Sequence, residues 1–342
     1  MTPAALVQTF LIAFAARLSG LRAVSRRCGH LLATTNFSSI CHGLRRRSSL
    51  AFVGRMVGRL ETSPRAGAKE QLVAIDGMAV TLPKTRRHRC KKCNNATVGG
   101  GVVWTYMVHA AKGVCPVKIL KLVEGAWHDT QVMRSVELIA RGPVYLMDRG
   151  FYAFDLLAGW LTRQVRFVVR VREHDLIFET LRTLSAPRRI ETKRLTLDAM
   201  VRLGGEHAKT HPVVRLIIAV LPSGERLILA TDRLAWSAER VLEAYRQRWH
   251  IERFHRFLKD TLGLAHLYSF DQSGITFLLL TALLLAMLLF LGAADPAGET
   301  IRILRAMLKI LRETLGLDTP WKRNTYTPRR AKKSATKRDQ NH

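Results

Sequence analysis

The stretch YRQRWHIERFHRFLK runs from Tyr245 to Lys259. Six of its fifteen residues are Arg, Lys or Glu, and the one carboxylate, Glu252, stands among five cations. On a helix turning about 100° per residue, Tyr245, Arg248, Glu252 and Lys259 fall within an arc of roughly 60°. Glu252 therefore shares a face with an aromatic ring and two basic side chains. It has two readings. It is an intrahelical partner of Arg248 or Arg256, each four residues away, an arrangement worth only about 0.2–0.5 kcal/mol. Or it is a metal ligand on a face whose other side chains grip phosphates. Hard oxygen ligands, few in number, suit Mg²⁺ or Mn²⁺, which bind along with substrate phosphates. Two such ions activate a nucleophile and stabilise the leaving oxygen of a phosphodiester.

The rest of the chain favours a polyanionic partner. Its 342 residues hold 55 Lys and Arg against 26 Asp and Glu, a net charge of +29. That excess points to nucleic acid or to an anionic membrane surface. Five cysteines, an odd number, do not form a disulfide framework and suit a reducing compartment. Cys90 and Cys93 have the spacing of half a zinc site, but no second such pair follows; ordinary reduced thiols are the simpler reading. One apolar run, Ile275 to Gly292, is nearly long enough to span a bilayer. It follows a highly polar helix and is read as a core helix, apolar all round because it is buried.

Composition divides the chain into five parts. Residues 1–68 read as a small, basic helical region suited to contact DNA ends, closing in a linker-like stretch, TSPRAGAK. Residues 69–171 alternate strand, strand, strand, helix, strand, helix, strand, which predicts an α/β fold with a mixed sheet and covering helices. In this part His128 to Gly142 is read as one helix that Asp129 caps and Gly142 with Pro143 stops. Residues 172–232 begin as short polar pieces and end in two apolar strands joined at PSGE, and are read as a β-rich insertion. Residues 233–318 start with a long helix capped by Ser237, with Trp236 and Val241 placed as a hydrophobic staple. Residues 319–342 form a basic tail expected to be disordered.

Two further acids stand out by position. Asp76 follows the apolar LVAI, and Asp148 follows VYLM. A carboxylate beside a buried strand is costly unless it is paired, hydrogen-bonded or metal-bound. The plainer alternatives are a turn at Asp76–Gly77 and a salt bridge of Asp148 with Arg149. Asp129 and Asp232, the next acids by position, are read as a helix cap and a turn residue in preference to metal ligands, and Trp249 as a core residue in preference to a base-stacking one. The basic run Lys84 to Lys92 is either a solvated loop or a DNA contact.

Taken in order, IDGM with Asp76, YLMDRGFY with Asp148, and Tyr-x₂-Arg-x₃-Glu-x₆-Lys at Tyr245, Arg248, Glu252 and Lys259 resemble the DDE transposases of the IS4 insertion-sequence family. ATDR and RWHIE add to the match, which covers residues 70 to 290. The resemblance implies an RNase H-like core with a β-rich insertion before the last catalytic helix. It implies that Asp76, Asp148 and Glu252 bind two Mg²⁺, with Mn²⁺ able to substitute, and that Tyr245, Arg248 and Lys259 hold phosphates. It implies hydrolysis at transposon ends and transfer of the 3′-OH into target DNA. The expected partners are double-stranded DNA, both terminal inverted repeats and target, and a second copy of the chain, with no membrane. The expected location is the bacterial cytoplasm, at the nucleoid. The competing expectation is a degenerate copy that binds DNA without cutting it.

Overall fold

The computed structural model describes residues 1–18, 20–28, 36–60, 71–81, 101–109, 115–124, 127–138, 142–264, 267, 269, 272–292 and 308–309, with the backbone alone at 81, 101–109, 115–124 and 290–292. The Cys90–Cys93 pair, the Lys84–Lys92 run, the linker-like stretch and the basic tail lie outside the described residues.

Strand β1 (Leu72–Thr81) pairs antiparallel with β2 (Gly101–His109), which pairs antiparallel with β3 (Cys115–Glu124). On its other side β1 runs parallel to β4 (Val144–Met147), and β4 runs parallel to β5 (Arg166–Arg170). Both are continuous apolar runs at their centres, as strands covered on two faces require. Between the antiparallel and the parallel parts lies helix α5 (Asp129–Arg134), and α6 (Phe154–Thr162) makes the β4–β5 crossover. This is the expected strand and helix order, and the spatial order β3-β2-β1-β4-β5 is the RNase H-like arrangement.

The region read as an insertion continues the same sheet. Strands β6 (Phe178–Thr183), β7 (Arg188–Ile190), β8 (Lys193–Leu203), β9 (Val213–Val220) and β10 (Arg226–Thr231) follow, and β10 pairs antiparallel with β5. The sheet among the described residues is thus 10-stranded, ordered β3-β2-β1-β4-β5-β10-β9-β8-β6, with β7 also on β8. The polar start of the region looks broken in sequence because β6 is an edge strand, exposed along most of its length, and its pairing with β8 is bulged.

Side chains alternate between two layers. Val73, Ile75, Tyr145, Met147, Phe167 and Val169 pack with α5 and α6, where Trp160 meets Phe167 at 5.6 Å between ring centroids. Ala74, Met78, Val144, Leu146 and Val168 pack on the opposite face, in one core with the remaining helices. Those helices are α1 (Pro3–Ala15), α2 (Leu21–Cys28), α3 (Phe37–Arg45), α4 (Arg47–Leu60), α7 (Ala238–Arg246), α8 (Trp249–Arg256) and α9 (Gln272–Gly292). Thr2 caps α1 by accepting the Ala5 N–H, and Asn36 caps α3 by accepting that of Ser39.

Helix α9 is the apolar run. It is long and apolar enough to cross a membrane, yet 67% of its most apolar window is buried inside the protein. Helices α1, α3 and α4 pack against it, and Phe10 of α1 meets Phe277 edge-on at 5.7 Å. Burying each Leu or Phe stabilises the fold by about 1.5–3 kcal/mol, so α9 acts as the core helix of the N-terminal helices. Its buried Thr281 hydroxyl is satisfied by donating to the Phe277 carbonyl.

Two local expectations are corrected. Helix α5 ends at Arg134 rather than at Gly142; Ser135 closes it, its hydroxyl donating to the Val132 carbonyl. The long helix is in fact three segments. Helix α7 ends in a tight turn at Gln247 and Arg248, α8 follows, and a wide π turn occupies Phe257–Thr261.

Candidate active site

The register Ile75↔Met147 places the next residues, Asp76 and Asp148, side by side on adjacent parallel strands. By alternation both lie on the face of Ala74 and Leu146, the face that α8 crosses as it packs on β1. Asp76 is in mid-strand rather than in a turn, and one carboxylate oxygen accepts the Gly77 N–H at 2.8 Å. Asp148 directly follows β4 and caps a 3₁₀ turn at Arg149–Phe151. What it receives from Arg149 is the backbone N–H, at 2.7 Å.

Helix α7 delivers the other half. Ser237 caps it by accepting the Arg240 N–H, and Trp236 and Val241 are both buried in one cluster, as a staple requires. In the tight turn the Arg248 N–H reaches back three residues to the Tyr245 carbonyl, at 3.0 Å. Side chains three apart eclipse in such a turn, and the Arg248 guanidinium lies 5.6 Å from the centre of the Tyr245 ring. The uniform helix predicts a shared face; the local overwinding makes it a stack.

Arg248 is the hub. Its Nη2 donates to Glu252 Oε1 at 2.6 Å, and its Nη1 lies 4.0 Å from Asp76 Oδ2. The Tyr245 hydroxyl faces Asp148 Oδ1 at 3.4 Å. The intrahelical pair and the convergence of acids are therefore both present, through one guanidinium. Lys259 stands in the π turn and makes itself felt at His255, whose protonated form it disfavours. Asp76, Asp148, Tyr245, Arg248 and Glu252 belong to one neighbourhood, and Lys259 is linked to it only through His255.

Two further side chains join them, His255, which the sequence does not single out, and Asp129, for which the sequence reading preferred a cap. His255 Nδ1 lies 3.8 Å from Asp76 Oδ2. Burial, with Lys259 and Arg248, pushes the imidazole down to about 3, so it is neutral here. Its place three residues after Glu252 on the helix was the available signal. Asp129 is the first residue of α5 and His128 its N-cap, so Asp129 is not the cap. Its carboxylate fills the space where a Cβ on Gly150 would sit, 2.2 Å from Oδ2. Only a glycine two residues past Asp148 admits it. Burial and the charge of Asp148 raise its pKa.

Asp232 holds a structural post: it accepts the Phe167 N–H at 2.8 Å and ties the end of β10 to β5. Trp249 is not a core residue. It is 52% exposed, because the turn at Arg248 swings it outward. Arg215 and Asp198 are not marked as a pair by the sequence, although an Arg inside the apolar VVRLIIAV is a signal. They form a bidentate pair at 2.8 and 2.9 Å, with side chains only 4% and 2% exposed. The guanidinium also donates to the carbonyls of Arg233 and Trp236. It thereby fastens the loop that leads into Ser237 and α7 to the insertion.

The electrostatics leave the acids short of positive charge. Burial pushes Asp76 up to about 7; the Gly77 N–H and Arg248 oppose the shift, while Asp129 and Asp148 add to it. Arg248 is raised despite its burial, because Tyr245, Asp148, Glu252 and Asp76 surround it. Among the described residues no three His, Cys, Asp or Glu side chains stand at the spacing of a metal centre. Arg248 bridges Asp76 and Glu252 instead. The donor set nonetheless fits a hard divalent cation: oxygen ligands, partly buried, mutually repelling, and compensated by a single guanidinium.

The sheet is mixed and RNase H-like, with Asp76 in β1, Asp148 directly after the parallel neighbour β4, and Glu252 on the helix that packs on β1. The family described as "Transposase DDE domain" matches residues 67–289. The chain belongs to that family. It is 23% identical over 273 residues to the "Putative transposase y4zB" of Sinorhizobium fredii (strain NBRC 101917 / NGR234), covering 76% of this chain and 69% of that protein. It is 23% identical over 153 residues to the "Probable transposase for insertion sequence element IS5377" of Geobacillus stearothermophilus, covering 44% of this chain and 39% of that one.

Proposed function

We propose that the chain is a DNA transposase of the IS4 type that hydrolyses a phosphodiester at each transposon end and then joins the freed 3′-OH to target DNA. In the first step water attacks phosphorus and the P–O3′ bond breaks. In the second the 3′ oxygen attacks a target phosphodiester, one P–O bond forming as another breaks. The observation that carries this reading is the meeting of Asp76, Asp148 and Glu252 around Arg248. Pure DNA binding calls for cations and gives no reason to gather acids on the DNA side.

Asp76, Asp148 and Glu252 would hold Mg²⁺, or Mn²⁺ in its place. Bound there, the ions supply positive charge that activates the attacking oxygen and stabilises the leaving one. Arg248 and Lys259 present cations, and Tyr245 a hydroxyl, to non-bridging phosphate oxygens beside the acids. Burial keeps the Tyr245 phenol protonated, raising its pKa, so it serves as a donor. The partners would be terminal inverted repeats, target DNA and a second copy of the chain. The charge of +29 supports a DNA partner, with affinity that falls steeply with salt.

The test uses purified full chain, Mg²⁺ or Mn²⁺, and labelled duplex carrying the element's own boundary. The parent should break the boundary and Glu252→Gln should bind without breaking it. A Glu252→Gln protein that cuts as well as the parent would remove Glu252 from the site. A parent that binds and never cuts would be the degenerate copy.

A further inference from the structure

A cavity of about 430 Å³ opens beside the acids, lined by Arg149, Arg170, Arg172, Arg226, Glu173 and Glu225 among others. Arg149 directly follows Asp148, and its carbonyl accepts the Arg172 Nε–H at 3.1 Å. Arg170 lies close enough to act on the Tyr245 phenol, and Arg172 on the Asp129 carboxylate. Four guanidiniums thus converge on one concave space with two glutamates in its lining.

The glutamates sit on the solvent side. Glu225 pairs with Arg170 at 2.5 Å and is 55% exposed against 26% for the arginine. Glu173 pairs with Arg226 at 2.6 Å and is 59% exposed against 43%. They come from two separate segments, Glu173 from a 3₁₀ turn after β5 and Glu225 from the turn before β10. Exposed pairs of this kind hold weakly and are screened by salt. A solvated network with a purely structural role would match each arginine with its own acid. Here Arg172 also has an acid, Asp175 at 3.7 Å, and the exposed Arg149, next to Asp148, is the lining arginine left without an ion pair among the described residues. A phosphodiester carries the charge of a carboxylate, and the guanidinium fork fits its oxygens two at a time.

We propose that this cavity is a second phosphate subsite, which takes a backbone phosphate of the DNA strand running past the acids, and that Glu173 and Glu225 are the chain's own stand-ins for that phosphate. Binding exchanges each Glu–Arg pair for a phosphate–Arg pair, and the glutamates swing into solvent. This rests on the reading of the partner as DNA, and it adds a contact surface formed by β5, β10 and the turns beside them.

The experiment measures affinity of the full chain for boundary duplex by fluorescence anisotropy across a salt series. Arg170→Gln/Arg226→Gln should weaken binding several-fold and reduce the log–log salt slope by about one, the signature of one lost phosphate contact. Glu173→Gln/Glu225→Gln should act in the opposite direction and tighten binding several-fold more than Glu206→Gln, which removes an exposed acid elsewhere in the insertion. A well-folded arginine variant with the parent's slope overturns the proposal. So does a glutamate variant that matches Glu206→Gln, and this arm decides if the arginine variant does not fold. If inorganic phosphate raises the melting temperature of the parent but not of the arginine variant, while the slope stays unchanged, the cavity is a free-anion site and the DNA assignment falls. The proposed function fails separately, through a parent that shows no salt-dependent binding or a Glu252→Gln variant that still cuts.

Discussion

Replacing Arg215 with methionine tests how the insertion supports α7, the helix that bears Tyr245 and leads through the Arg248 turn to Glu252. Methionine keeps most of the volume and removes the fork. Two charge-assisted hydrogen bonds to Asp198 are lost, at 2.8 and 2.9 Å. Each is worth about 1.5–3 kcal/mol. The remaining Asp198 keeps the Ser185 hydroxyl at 2.8 Å but loses its countercharge, with a side chain only 2% exposed. Breaking a buried pair from one side costs about 3–5 kcal/mol in general, which agrees with that sum. The Arg233 and Trp236 carbonyls lose their donor as well, so the loop into Ser237 is freed. Urea unfolding should show a loss of about 3–5 kcal/mol, and boundary cleavage should fall further than the remaining folded fraction explains. Asp198→Leu/Arg215→Met should cost less than the sum of the single changes, because no charge is left buried alone. A single-variant cost below about 1 kcal/mol would refute the reasoning. It would mean that water reaches the pair and that α7 is positioned by its apolar face alone.

Other outcomes follow from the same geometry. Gly150→Ala should push the Asp129 carboxylate away from Asp148; since the clash is with the end of a side chain, stability should drop by less than about 1 kcal/mol while cleavage drops clearly. Trp249→Ala should leave unfolding within about 0.5 kcal/mol of the parent, because the ring is exposed, and should weaken boundary-duplex affinity measured by anisotropy. In metal-free buffer the raised Asp76 carboxyl binds its proton more tightly folded than unfolded. Its contribution is present below about pH 4 and is lost as pH rises through about 7. His255, lowered to about 3, works in the opposite sense and loses its contribution as pH falls. The two are separated by comparison with Asp76→Asn, whose stability relative to the parent should increase between about pH 4 and pH 7. A difference that stays constant in urea titrations across that range would place Asp76 in ordinary solvent.

The sequence determined the elements and their order. Continuous apolar runs marked β4 and β5, Gly and Pro punctuated the strands around them, and the Ser237 cap with its staple fixed where α7 begins. Local chemistry decides such features, so local reading finds them. Alternation along β1 and β4 was enough to pair Asp76 with Asp148 once the strands were known to be parallel neighbours. The spacing of Tyr245, Arg248 and Glu252 was enough to gather them on one helix face. Tertiary structure decided the remainder. The turn at Arg248 depends on how α7 settles against β5 and α8 against β1, so an ideal helix could not show that Trp249 faces solvent or that Tyr245 and Arg248 stack. Asp129 joins the site across a gap that Gly150 leaves open, a contact between elements with no sequence period. The pairing of Arg215 with Asp198, and that of the cavity arginines with Glu173 and Glu225, join residues 17 to 55 positions apart. Charge in a strand or a turn reads as solvated until a second element closes over it. The apolar Ile275–Gly292 helix was ambiguous for a like reason: its own composition is the same in lipid and in a core, and only the packing of α1, α3 and α4 around it distinguishes the two.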